Sequence, residues 1–94
     1  MMGFKLEFNQ EKDLLLKATR GVSFEEVIRE INKGKILDDL QNKKHPNQKI
    51  LVIKIKDYIC AVPYVIDYKK RTIFLKTVYP SRVLSKKYLK KGIT

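Results

Sequence analysis

ILVIKIKDYICAVPYVI, residues 50–66, is the stretch on which the fold turns. Its two apolar runs, 50–55 and 58–66, are rich in β-branched and aromatic side chains, and only Lys56-Asp57 separates them. Runs of that length and composition read as strands, and a two-residue break between them reads as a tight hairpin. DYKKR then turns the chain into TIFLKTVY, residues 72–79, so three strands are expected to run as an antiparallel meander. Pro63 has no N–H, so its strand must carry a bulge or an unpaired position there.

Working outward, the period of the pattern changes. Phe4, Leu6 and Phe8 alternate with Lys5 and Glu7, which predicts a short strand over 4–8. Asn9 is placed to cap a helix over 10–20, QEKDLLLKATR, with acids in its first turn, bases near its end and Gly21 in the closing position. A second helix is expected from Phe24 to about Lys33. Ser23 and Glu26 have the spacing of a capping box, and Val22 and Val27 that of a hydrophobic staple. Phe24, Val27, Ile28 and Ile31 fall on one face, and Gly34 closes the helix. KILDDL is read as a short edge strand, QNKKHPNQ as a polar loop, and SRVLSKKYLKK as a final helix. The expected fold is α+β. Two N-terminal helices pack on one face of an antiparallel sheet of three to five strands, and a short C-terminal helix follows.

The totals constrain the rest. A chain of 94 residues has room for one core, so residues 1–94 are read as a single domain. One cysteine, Cys60, cannot form an internal disulfide, no run approaches the length of a membrane span, and MMGFKLEF has no signal-peptide pattern. A cytoplasmic protein with no membrane partner is expected. The net charge of +11 is unevenly placed: residues 1–48 hold nine Lys and Arg against eight Asp and Glu, residues 49–94 twelve against two. With so few acids to neutralise it, the second half is expected to meet an outside polyanion.

Three further features resemble a known family. LEFNQEKDLLLKATRGVSFEEVI, then a three-strand meander, then KTVYPSRVLSKKYL is similar to the BrnT toxins of the RelE-like ribonuclease superfamily. The most specific parts are RGVSFEEV and the Ser81-Arg82 pair; Asn9, Arg20 and Pro80 depart from the family pattern. The resemblance implies the toxin of a type II toxin–antitoxin pair. Such a toxin cuts RNA, ribosome-associated mRNA included, by driving a 2′-hydroxyl onto its neighbouring phosphate, and uses neither metal nor cofactor. It also implies a cognate antitoxin with a ribbon-helix-helix domain. In that reading Arg82 and Lys76 hold the scissile phosphate, Lys54 assists and Tyr79 stacks or moves a proton, while Lys56, Ser81, Lys86, Lys87 and Tyr88 contact RNA. The composition fits metal-free chemistry, since Asp57 and Asp67 are the only carboxylates of the basic half and both fall at predicted turns.

Each candidate has a plainer alternative. Arg82 either grips a phosphate at a helix start or merely solvates that start. Lys76, on a strand face with Phe74 and Val78, either snorkels outward or points into a cleft. Lys54 and Lys56, two apart and so on one face, are a binding pair or a solvated edge. Tyr79 and Tyr88 stack a base or sit at the core edge. His45 is first a loop residue, beside Pro46 and Asn47, and only then a base. Lys86, Lys87, Lys90 and Lys91 form a solvated helix face that also draws RNA at long range. The alternative for the whole chain is a non-catalytic module of the same fold that binds nucleic acid or an antitoxin.

Overall fold

The computed structural model describes the backbone of residues 3–93 and the side chains of residues 3–88. The side chains of Lys90 and Lys91 therefore lie outside the described residues. The elements run β1 (Lys5–Glu7), α1 (Gln10–Arg20), α2 (Phe24–Asn32), β2 (Ile36–Gln41), β3 (Lys49–Ile55), β4 (Tyr58–Asp67), β5 (Thr72–Leu75), β6 (Tyr79–Pro80) and α3 (Arg82–Ile93). The fold is α+β, with a mixed sheet in the order β1-β5-β4-β3-β2 and β6 paired to β4.

Local chemistry sets the helix ends. Asn9 accepts from Lys12 N at 2.9 Å and starts α1, and Gly21 ends it with φ 66°. At α2 both halves of the capping box form: Ser23 Oγ accepts from Glu26 N at 3.2 Å, and Glu26 Oε1 from Ser23 N at 3.1 Å. A second clasp reaches across the junction, where the buried Asp13 carboxylate accepts from Phe24 N at 2.8 Å.

The β3–β4 hairpin runs from Ile55 opposite Tyr58 to Lys49 opposite Tyr64, with Lys56 in its turn at φ 56°. Strand alternation then sorts the sheet into two faces. Leu51, Ile53, Cys60, Val62, Tyr64, Ile73 and Leu75 join Leu16, Phe24, Val27 and Ile31 of α1 and α2 in one buried cluster. Val52, Ile59, Ala61 and Pro63, of opposite parity, are buried on the other face, against whose β4 the helix α3 packs. Adjacent acids of β2 serve the two faces separately. Asp39 accepts from the Tyr64 hydroxyl at 2.8 Å on the first, and Asp38 accepts a hydrogen bond from the Tyr88 hydroxyl of α3 on the second.

Three expectations are corrected. Among the described residues the sheet has six strands, not three to five, because the last strand of the meander is split in two. The sheet is mixed, not antiparallel: β1 runs parallel to β5, with Leu6 opposite Ile73. Alternation revealed β1, but its direction is set by the chain's passage through α1, α2 and the meander before β5 arrives. TIFLKTVY, moreover, is not one strand. β5 pairs with Tyr64–Asp67 and β6 with Cys60 and Ala61, on the same edge of β4. Between them residues 76–78 face only Val62 and Pro63, so the register slips by one. Pro63 accepts from Lys76 N at 2.8 Å and has no N–H to return, which is the bulge its position demanded.

Candidate nucleic-acid interface

The break opposite Pro63 builds the wall of a groove of about 430 Å³. Val78 is fully buried and plugs the chain into the core, leaving Lys76 exposed and Thr77 and Tyr79 half-buried. Lys76, Thr77 and Tyr79 form one wall, Ile50 and Pro63 the floor, and Lys43, Lys44 and His45 the facing loop. Ile50 pairs with Pro63 and Tyr79 with Ala61, so floor and tyrosine belong to the same sheet face as α3.

The loop holds its shape through its own polar groups. Asn42 Oδ1 accepts from Lys44 N at 3.1 Å and from His45 N at 3.2 Å, and Gln48 N donates to the His45 carbonyl at 2.8 Å. Lys43, Lys44, His45, Lys76 and Tyr79 are the ionisable side chains lining the groove, and no carboxylate lines it. Cations gathered without a carboxylate create a positive potential that favours phosphate, and an aromatic ring beside an apolar floor offers a surface for a base.

The residues expected around Arg82 occupy a different hollow, of about 410 Å³, where Ser81, Arg82 and Lys86 share the lining with Tyr58 and the carboxylate of Asp57. Ser81 caps α3: its Oγ accepts from Leu84 N at 3.2 Å and its carbonyl from Ser85 N at 2.8 Å. Lys76 and Tyr79 thus come together, as do Arg82, Ser81 and Lys86, but the two sets line separate hollows. Lys54 is exposed on β3 opposite Ile59 and lines neither hollow. Lys56 does not share its face: it lies in the hairpin turn, and its ammonium donates to the Gly21 carbonyl at 3.2 Å. The Lys87 ammonium stands 5.4 Å from the centroid of the Tyr88 ring. The hydrogen bond to Asp38, with burial second, raises the Tyr88 hydroxyl above its ordinary pKa.

Lys76 also departs from its expected setting. It is not flanked on a strand face by Phe74 and Val78 but follows the end of β5, its ammonium 5.6 Å from the centroid of the Phe74 ring. The sequence presents Lys43 and Lys44 only as part of a polar loop, and His45 first as a loop residue and only then as a base. The signal available was a doubled lysine next to the only histidine, in a stretch without acids.

No family model, curated protein or solved structure matches this chain. Among the described residues no helix is long and apolar enough to cross a membrane, and no three His, Cys, Asp or Glu side chains gather where they could hold a metal ion.

Proposed function

We propose that this protein is the BrnT-like, RelE-like ribonuclease toxin of a type II toxin–antitoxin pair, and that RNA lies in the groove between the 43–45 loop and residues 76–79. One observation carries the reading: Lys43, Lys44, His45 and Tyr79 line a groove that no carboxylate lines, and Lys76 stands at its edge, shared with a second hollow whose lining includes Phe74 and Glu11.

In this reading the ribose 2′-oxygen attacks the adjacent phosphorus, its proton passing to a groove base for which His45 is the candidate. The P–O5′ bond breaks, and Tyr79 or a lysine protonates the departing oxygen. The products are a 2′,3′-cyclic phosphate and a 5′-hydroxyl. Lys76 stabilises the doubly charged phosphorane, an interaction that strengthens as charge develops. Arg82, Ser81 and Lys86 hold a flanking phosphate in the neighbouring hollow. A ribbon-helix-helix antitoxin masks the basic surface in the cytoplasm.

The test is incubation of the purified protein with a single-stranded model RNA in the presence of EDTA, paired with low-copy expression. Cleavage leaving cyclic phosphate ends, together with growth arrest, is the expected result; intact RNA and normal growth would overturn it. The separation of Arg82 from Lys76 favours a second reading, a non-catalytic module that binds RNA or antitoxin. That reading expects RNA binding without cleavage.

A further inference from the structure

The wall that carries Lys76 and Tyr79 is not held by sheet pairing along its whole length. Residues 76–78 are the bulge between β5 and β6. At its start Lys76 N donates to the Pro63 carbonyl at 2.8 Å. At its end the Val78 carbonyl accepts from Arg20 Nη1 at 3.0 Å, in a half-buried bond that spans 58 residues of sequence. Arg20 is the last residue of α1, fixed in place by the left-handed Gly21 behind it, and the Gly21 carbonyl in turn receives the Lys56 ammonium.

We propose that Arg20 is a positioning residue for the RNA groove, holding the Val78 carbonyl so that Lys76 and Tyr79 stand together on its wall. The inference rests on the groove reading above. A guanidinium suits the task. Charge-assisted donors to a carbonyl are stronger than neutral ones, and the planar head loses little freedom on binding. Burial of the Val78 side chain holds one side of that residue and the Arg20 bond holds its carbonyl, so the backbone between Lys76 and Tyr79 is anchored at Val78. Arg20 itself does not line the groove; its effect on RNA passes through the wall.

A double-mutant cycle separates this from the loss of one remote charge. Binding of a 5′-labelled single-stranded RNA 12-mer is measured at fixed salt for wild type, Arg20→Ala, Lys76→Ala and the double variant. Arg29→Ala, an exposed arginine on α2, serves as the equal-charge control. Lys76→Ala is expected to cost about tenfold in the wild-type background and less than about threefold once Arg20→Ala has released the wall, since residues acting through one segment are non-additive. In the Arg29→Ala background the tenfold cost should persist. Equal cost of Lys76→Ala in all three backgrounds would overturn the proposal, as would unchanged affinity in Arg20→Ala. Circular dichroism checks folding, and Arg20→Gln enters the same cycle should the alanine variant unfold. Amide exchange is the readout independent of RNA: Thr77, Val78 and Tyr79 should exchange faster in Arg20→Ala and not in Arg29→Ala. If wild type binds no RNA, the groove reading fails by itself, and unaltered exchange in Arg20→Ala would then sink the positioning role separately.

Discussion

Lys76 stands past the end of β5 and lines, with Tyr79, the groove that no carboxylate lines; its ammonium lies beside the Phe74 ring, and it also lines a second hollow that includes Glu11. Arg82 opens instead into a hollow that includes Asp57. The two cations should therefore behave differently. On the ribonuclease reading proposed above, Lys76→Ala is expected to lower RNA cleavage by about a hundredfold or more, because it would remove charge stabilisation of the phosphorane, with little change in thermal stability for so exposed a side chain. Arg82→Ala should weaken binding alike across RNA sequences and reduce the slope of log affinity against log salt by about 1, the signature of one lost phosphate contact. Arg82→Lys keeps the charge, loses the fork and should restore binding in part. Equal loss of cleavage in Lys76→Ala and Arg82→Ala would mean that both cations act at the reacting phosphate. The sequence showed both cations and their nearness along the chain. It did not show that a one-residue slip opposite Pro63 and a helix cap at Ser81 would send them to different hollows.

The junction between α1 and α2 is the best-specified element of the molecule, with two independent holds on the start of α2. Ser23→Ala removes the cap and should cost about 1 kcal/mol. Asp13→Ala strands the Phe24 amide in a buried site and breaks the 3.1 Å ion pair with Lys17, so a cost of about 1–3 kcal/mol is expected. Asp13→Asn keeps an acceptor oxygen and should cost less. Chemical denaturation of the three variants checks the order, and Ser23→Ala costing more than Asp13→Ala would contradict it. The Lys17 ammonium reflects the same arrangement: hydrogen bonds to Asp13 first and Glu25 second raise its pKa. The Ser23–Glu26 box was legible because its groups lie three residues apart and the bonds are local. The Asp13 clasp was not legible, since it depends on how α2 turns back on α1.

Across the whole molecule, with its radius of gyration of 13.0 Å, two buried acids make stability depend on alkaline pH. Burial, with the Glu26 charge second, pushes the Cys60 thiol from 9.0 to about 11. Burial and the bond to Asp39 raise the Tyr64 hydroxyl as well. Both groups bind their protons more tightly when folded, so their contribution is complete below pH 9. For Cys60 it is lost between pH 9 and 11, and for Tyr64 from pH 10 upward. Denaturation midpoints should be level from pH 7 to 9 and then fall. Cys60→Ala should lessen the fall between pH 9 and 11 by up to about 3 kcal/mol, whereas a fall identical to wild type would show that the thiol is not involved. The sequence by itself determined the helices, the caps at Asn9 and Ser23, the hairpin at Lys56-Asp57, the need for an irregularity at Pro63 and the basic second half, because each is encoded in residues close to one another along the chain. Only the tertiary structure decided that β1 runs parallel to β5 and that α3 takes the face opposite α1 and α2. It alone decided that the 43–45 loop faces Lys76 and Tyr79 across Ile50 and Pro63. These are contacts between segments tens of residues apart, and their choice rests on which apolar faces can be buried together, a property that no local pattern carries.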